Sequence, residues 1–295
     1  MASGEPTSGA GLTAALFARS PVWRPVASHA FTVLLLCAML YPIVWLVGAS
    51  FRPAGEALGT LGFWPQNFTT ENYREGWRGI GNIGFSRYFL NSAFVAVMSI
   101  VGNLFACTLA AYAFARIEFP GRRLLFVLLI GTILLPAQVT VVPQYVIFQR
   151  LGLINTYYPL LLPKFTAVDA FYTFLLVQFI RGIPRSLDEA ARLDGCGHFS
   201  IFLRIILPLC LPALATTAVF TFIYSWNEFL GPLLYLNSPE LYTVPLGLSQ
   251  FMDATGRSQI GSLFAMSVLS LVPLIAVFAA AQRLLTEGIA TTGIR

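Results

Sequence analysis

Six stretches of this chain are long and apolar enough to cross a bilayer, and they leave little sequence for anything else. They run over about 26–50, 89–114, 124–143, 158–180, 209–236 and 260–285 of 295 residues. A helical span needs roughly 20 apolar residues, so a chain of this length has room for about six spans and their loops. Charged residues make up 11% of the chain, where a soluble domain carries about 25%. The expectation is an all-α integral membrane protein with six transmembrane helices. Residues 1–25, rich in Gly, Ser and Ala, read as a cytoplasmic tail with a short surface helix around Leu12 to Ala18. They make a poor secretory signal, because the basic residues come late and the following apolar run is too long. Residues 286–295 read as a second cytoplasmic tail.

Basic residues orient the spans. With the N-terminus inside, 11 of the 18 Lys and Arg fall on the cytoplasmic side, among them Arg116, Arg122, Arg185 and Arg204. Four of the other seven lie in the long first outer loop, whose length weakens their vote. The net charge of +5 does not indicate nucleic acid, since the basic residues are scattered singly along loops.

Several chemistries have no residues to carry them. Lys164 is the single lysine, so a phosphate-binding GxxxxGK[ST] loop is impossible, and if ATP drives this protein another chain must bind it. There is no GxSxG elbow and no HExxH. Of four cysteines, Cys37, Cys107 and Cys210 lie in apolar runs, and no CxxC pair suggests a metal or redox site. His29 and His198 are too far apart to suggest a metal pair. No catalytic residue, cofactor or metal is expected on this chain.

One charged island interrupts the apolar pattern, from Pro184 to Pro208. Ser186 and Glu189 have the S-x-x-E spacing of a capping box. Asp188 and Glu189 in the first turn suit the positive end of a helix dipole. Gly195 stands where a left-handed C-terminal cap belongs. A second short helix is expected from about Ser200 to Leu207. By these signals alone the island is an exposed helix in a loop between two spans.

Its wording adds more. Glu189-Ala190-Ala191, then Gly195, then Ile205, Leu207 and Pro208 resemble the EAA loop of ABC importer membrane subunits. The segment Ala111-Tyr112-Ala113-Phe114-Ala115-Arg116, with Phe119, Gly121 and Arg122, is similar to a cytoplasmic turn of the maltose-permease type. So are Asn91-Ser92, Pro143-x-Tyr145, Trp226-Asn227-Glu228 and Gln282-Arg283 with Glu287-Gly288. The closing residues from Gly288 to Arg295 depart from the family's usual tail. The resemblance implies a type I importer permease fold in the bacterial plasma membrane, with both termini cytoplasmic. It implies that Glu189, Ala190, Ala191, Gly195, Ile205, Leu207 and Pro208 form a coupling helix that docks into a cytoplasmic ATPase. The partners it implies are a second, homologous permease chain, two ATPase subunits that bind ATP and Mg, and an extracytoplasmic solute-binding protein. The cargo it implies is a sugar, oligosaccharide or sugar derivative. An ion-coupled secondary transporter, or an importer for a solute such as a glycerol phosphodiester, remains the alternative.

Polar groups inside spans are costly and are candidates for lining a pathway. Asp169 lies about 12 residues into the fourth run, near mid-bilayer on a rise of about 1.5 Å per residue. It either pairs with other helices of the bundle or faces a water-filled path. In a continuous helix Lys164, five residues away, stands about 140° around the axis, so the two are not expected to pair. Asn227 and Glu228 sit near the outer end of the fifth run. They are read either as interfacial anchors together with Trp226 or as pathway-lining groups. Asn91, Asn103 and Gln138 are weaker candidates.

Overall fold

The computed structural model describes residues 23–53, 56, 62, 64–253 and 258–290. The expected surface helix around Leu12 to Ala18 and the last five residues lie outside the described residues. Among those described, the regular structure is helical, with no strand beyond one isolated bridge, Ile80 to Ile83.

In chain order the helices are α1 (Trp23–Ser50), α2 (Glu71–Arg78), α3 (Phe85–Arg116), α4 (Arg122–Ile133) and α5 (Ala137–Arg150). Then come α6 (Tyr158–Phe165), α7 (Ala170–Gly182), α8 (Ser186–Leu193) and α9 (His198–Ile201). A π-helical turn, Phe202–Ile206, leads to α10 (Leu207–Leu209). α11 (Leu211–Asn227), α12 (Leu230–Tyr235), α13 (Val244–Asp253) and α14 (Ser258–Ala290) complete the chain. Among the described residues, four stretches are long and apolar enough to span a membrane, or up to six if each bent helix pair is one span.

The bundle is built around α3. Its 32 residues make a rod of roughly 48 Å, longer than the ~30 Å hydrocarbon layer. It packs against α6, α7 and α11. Lipid tails are as apolar as the side chains, so close approach of small residues holds such helices together. Ala96, Ala111 and Ala115 on α3 are buried accordingly. A Cβ added at Gly102 would meet the Phe165 ring at 2.8 Å, which shows how tightly α6 crosses here.

Two apolar cores result, one toward each end of α3. One joins Tyr112, Leu176, Ile180, Ala191, Ile201 and Phe202. The other joins Phe85, Tyr88, Phe222, Trp226, Phe251 and Met266. α1, by contrast, is largely exposed apart from a contact with α14, with Phe31, Leu34 and Met39 all uncovered.

Four of the expected spans differ from a plain rod. The run expected over 124–143 is two helices, α4 and α5, bent by 105° at Leu134–Pro136 and extending to Arg150. Pro136 has no N–H to give, and its ring disfavours helical geometry at Leu135. The fourth run breaks over 166–169, where Ala167 takes φ +54. The fifth breaks at Cys210 and again at Glu228–Phe229. The sixth continues to Ala290, through the first half of the expected tail. The outer segment after residue 237 is also structured, with a 3₁₀ turn over Pro239–Leu241 and then α13.

Candidate functional site

The charged island folds as expected in outline and differently in detail. α8 begins at Ser186, but its N-cap position is Arg185 at φ −69 and ψ −21, and no side chain caps it. The expected Ser186–Glu189 capping box is therefore not formed. A capping residue needs extended backbone, whereas here the chain is already helical before Ser186. Glu189 is left free of the backbone and points outward, exposed beside exposed Ala190.

The C-terminal end matches the expectation. Gly195 takes φ +80, in the left-handed region. Its N–H donates to Arg192 O at 3.0 Å, and the next, Cys196 N–H, donates to Ala191 O at 2.9 Å. This paired pattern is a Schellman cap, which satisfies carbonyls the helix would otherwise leave free. Ala191 is buried against the bundle, Ile205 and Leu207 are half-buried, and Pro208 is exposed. The second helix starts at His198, and its π turn ends at Ile206, two positions before Pro208, which cannot donate an ordinary helical bond. Leu193 at 90% and Phe199 at 70% exposure give the outer side of this loop an apolar surface.

Two residues of α3 hold the loop. Arg116 Nε lies 3.0 Å from Asp188 Oδ2, with side-chain exposures of 2% and 9%. The contact is an ion pair without hydrogen-bond alignment at Nε, and Asp188 Oδ1 has no donor. The guanidinium also donates from NH2 to Ile183 O at 2.7 Å. One turn earlier, the Tyr112 hydroxyl donates to His198 O at 3.1 Å, and its ring packs 5.1 Å from Phe202. Sequence reading placed Asp188 only as a dipole partner and missed this pair. The basic residue closing the Ala111–Arg116 segment was the available signal.

A second polar cluster sits between the two apolar cores. Lys164 Nζ donates to Asp169 Oδ2 at 2.8 Å, so the expectation that these two do not pair is overturned. The reason is the break over 166–169, which removes the helical register that separates them. Asn103 of α3 also donates Nδ2 to Asp169 Oδ2 at 2.8 Å and to Thr221 Oγ1 at 3.1 Å. The ammonium lies 5.0 Å from the centre of the Tyr224 ring, within cation–π reach. Side-chain exposures of 14% for Lys164 and 26% for Asp169 leave the pair reachable from one side, where Tyr224 is also exposed. Asp169 thus pairs within the bundle while its side chain stays partly exposed.

Glu228 and Asn227 serve the helix break beside this cluster. Glu228 Oε1 accepts from Gly231 N–H at 2.9 Å at the start of α12, and Asn227 Nδ2 donates back to Ile223 O at 2.8 Å. Trp226 is not an interfacial anchor. It is 3% exposed and donates Nε1–H to Ser270 O at 3.1 Å, locking α11 to α14. Of the weaker candidates, Asn91 donates Nδ2 to Glu240 O at 2.8 Å and Tyr242 O at 2.9 Å, a tie to the outer segment. Among the described residues no His/Cys/Asp/Glu group could hold a metal ion.

Residues 10–291 match the family model described as "Binding-protein-dependent transport system inner membrane component". The chain is similar to the probable ABC transporter permease protein YurM of Bacillus subtilis, 36% identical over 90% of this chain and 87% of that one. It is similar to the diacetylchitobiose uptake system permease protein NgcG of Streptomyces coelicolor, 35% identical over 87% and 84%. The arabinooligosaccharides transport system permease protein AraQ of Halalkalibacterium halodurans is 32% identical over 94% and 98%. Among solved structures, a chain of a bacterial ABC transporter involved in alginate import superposes with a TM-score of 0.81. At 23% identity over 90% of this chain and 98% of that one, it shows a shared fold.

Proposed function

This chain belongs to the binding-protein-dependent transport inner membrane components, the multi-pass permeases of ABC importers, and from that premise we propose that it forms half of a sugar or oligosaccharide pathway driven by a partner ATPase. The observation that carries the coupling part is the α8 loop. It is a short helix with a formed C-terminal cap, anchored to α3 on one side and presenting Glu189, Ala190 and apolar Leu193 and Phe199 on the other. In this reading Glu189, Ala190, Ala191, Gly195, Ile205, Leu207 and Pro208 are the docking element, and Glu189 meets a basic partner. A second homologous permease completes the pathway. Two ATPase subunits bind ATP and Mg on the cytoplasmic side, and an extracytoplasmic solute-binding protein delivers the cargo.

The cargo assignment draws on relatives named for diacetylchitobiose, arabinooligosaccharides and galactooligosaccharides. The polar cluster favours an uncharged sugar within that class. Asp169, Asn227 and Glu228 are its proposed pathway-lining groups, and Tyr224 offers an aromatic face beside them. The one lysine present is neutralised by Asp169. Among the described residues, that leaves no free cation in the cluster to hold a phosphodiester or a uronate. Sugar hydroxyls, in contrast, find carboxylate acceptors and a stacking surface.

The mechanism is alternating access. ATP closes the ATPase dimer, the coupling helices move with it, and the two permease halves rock from inward-open to outward-open. For this to be coupling, the α8 loop must make different contacts in the two states. The test is reconstitution in proteoliposomes of the two permeases, the ATPase and the binding protein. Uptake of labelled oligosaccharide that needs both ATP and binding protein supports the reading. Uptake by this chain alone, driven by an ion gradient, contradicts it.

A further inference from the structure

We infer that α3 is the connecting rod of the importer: Tyr112 and Arg116 take up the movement of the α8 loop, and Asn91 delivers it to the outer segment Glu240–Val244. The inference rests on the reading of that loop as the coupling element, and goes beyond it by naming the helix and residues that carry the movement.

The loop is continuous in the chain with α7 before it and α10 and α11 after it, yet its polar ties run sideways to α3. Tyr112 and Arg116 are four residues apart and share one face of that helix. Between them they grip both arms of the loop. Arg116 holds the first arm through Asp188 and Ile183 O, and Tyr112 holds the second through His198 O. A nearly fully buried ion pair has few alternative partners, so loop and helix end move as one body. A single surface contact could not enforce this.

The other end of α3 is tied just as specifically. Asn91 Nδ2 donates to Glu240 O and Tyr242 O, and Arg87 Nε donates to Glu240 O at 3.2 Å. Ser92 Oγ accepts from Val244 N–H at 2.8 Å. Along the rod Asn91 and Arg116 are separated by roughly 38 Å. Midway, Asn103 holds Asp169 and Thr221, joining α3 to α7 and α11 at the level of the polar cluster. No proline interrupts α3, so it can pass a displacement along its length with little bending.

Cys196 reports the lower joint. It lies two residues before α9, half-buried against the loop-end core. In a Cys37→Ser background the other two cysteines, Cys107 and Cys210, are buried. Labelling by an impermeant maleimide in everted vesicles stripped of ATPase then reads the loop alone. Arg116→Leu and Asp188→Leu should each accelerate labelling about tenfold, because each breaks a buried pair. The double Leu variant should be no faster than the faster single, as two ends of one link are non-additive. If a single variant fails to insert, the double variant, which buries no lone charge, decides the point by labelling fast. Rates within about twofold of the parent, or a double equal to the product of the singles, overturn the joint.

The rod itself is tested in the reconstituted complex. Arg116→Leu and Asn91→Leu should both keep the ATPase bound and lower solute taken up per ATP hydrolysed. Asn91→Leu should leave Cys196 labelling at the parent rate. Normal uptake per ATP in either variant, or loss of the ATPase from Arg116→Leu, overturns the inference. The reading of the loop as the docking element fails separately, through Glu189 variants that bind and couple normally.

Discussion

The Lys164 ammonium sits 2.8 Å from Asp169 Oδ2, although an unbroken helix would put the two on different faces. The break at Thr166–Asp169 brings them together, and Asn103 completes the carboxylate's shell. Breaking a fully buried pair costs about 3–5 kcal/mol, and partial exposure lowers that figure here. Asp169→Leu should therefore reduce the melting temperature of the detergent-purified chain, and Lys164→Met added to it should recover most of the loss. If the cluster lines the pathway, transport by the double variant stays impaired despite recovered stability. Full transport by the double variant would make the pair purely structural.

Cysteine labelling tests topology. Cys107 and Cys210 are buried, and Cys37 is exposed on the apolar helix α1. Cys196, half-buried in the loop, is the one expected to react with an impermeant maleimide. It should be labelled in everted vesicles stripped of ATPase and spared in intact spheroplasts. Labelling from outside reverses the orientation.

Close packing of the outer core yields a stability prediction. A Cβ on Gly247 would overlap the Tyr88 ring, which is itself 1% exposed and has no room to retreat. Overpacking of this kind costs about 1–3 kcal/mol. Gly247→Ala should lower the melting temperature of the purified chain, whereas Gly131→Ala, with nothing within 4 Å, should not. Equal melting temperatures for the two variants would contradict this packing.

The apolar runs were legible in the sequence because spanning is a matter of length and composition. Gly195 was legible too, since few other residues take φ +80 at a helix end. The bend at Pro136 was legible in the proline itself, but the break over 166–169 was not. Ala167 carries no sequence mark of its positive φ, and the Asn103 that meets Asp169 at the break comes from another helix. The Ser186–Glu189 spacing misled because spacing alone cannot tell that the chain is already helical at Arg185. Arg116 and Asp188 read as two ordinary loop-end charges. Only folding brings them into one buried pair.

The central claim is that the α8 loop couples this permease to an ATPase. Glu189 is exposed and free of the backbone, so Glu189→Lys should leave insertion intact and reverse the charge offered to the partner. Gly195→Val forces a β-branched residue to φ +80, at a cost of roughly 1–2 kcal/mol, enough to disorder one short helix without unfolding the bundle. The decisive measurement is co-purification of the ATPase together with binding-protein-stimulated ATP hydrolysis in proteoliposomes. The account predicts that both variants insert normally and lose ATPase binding or stimulated hydrolysis. Wild-type values for both variants in both measurements would contradict it.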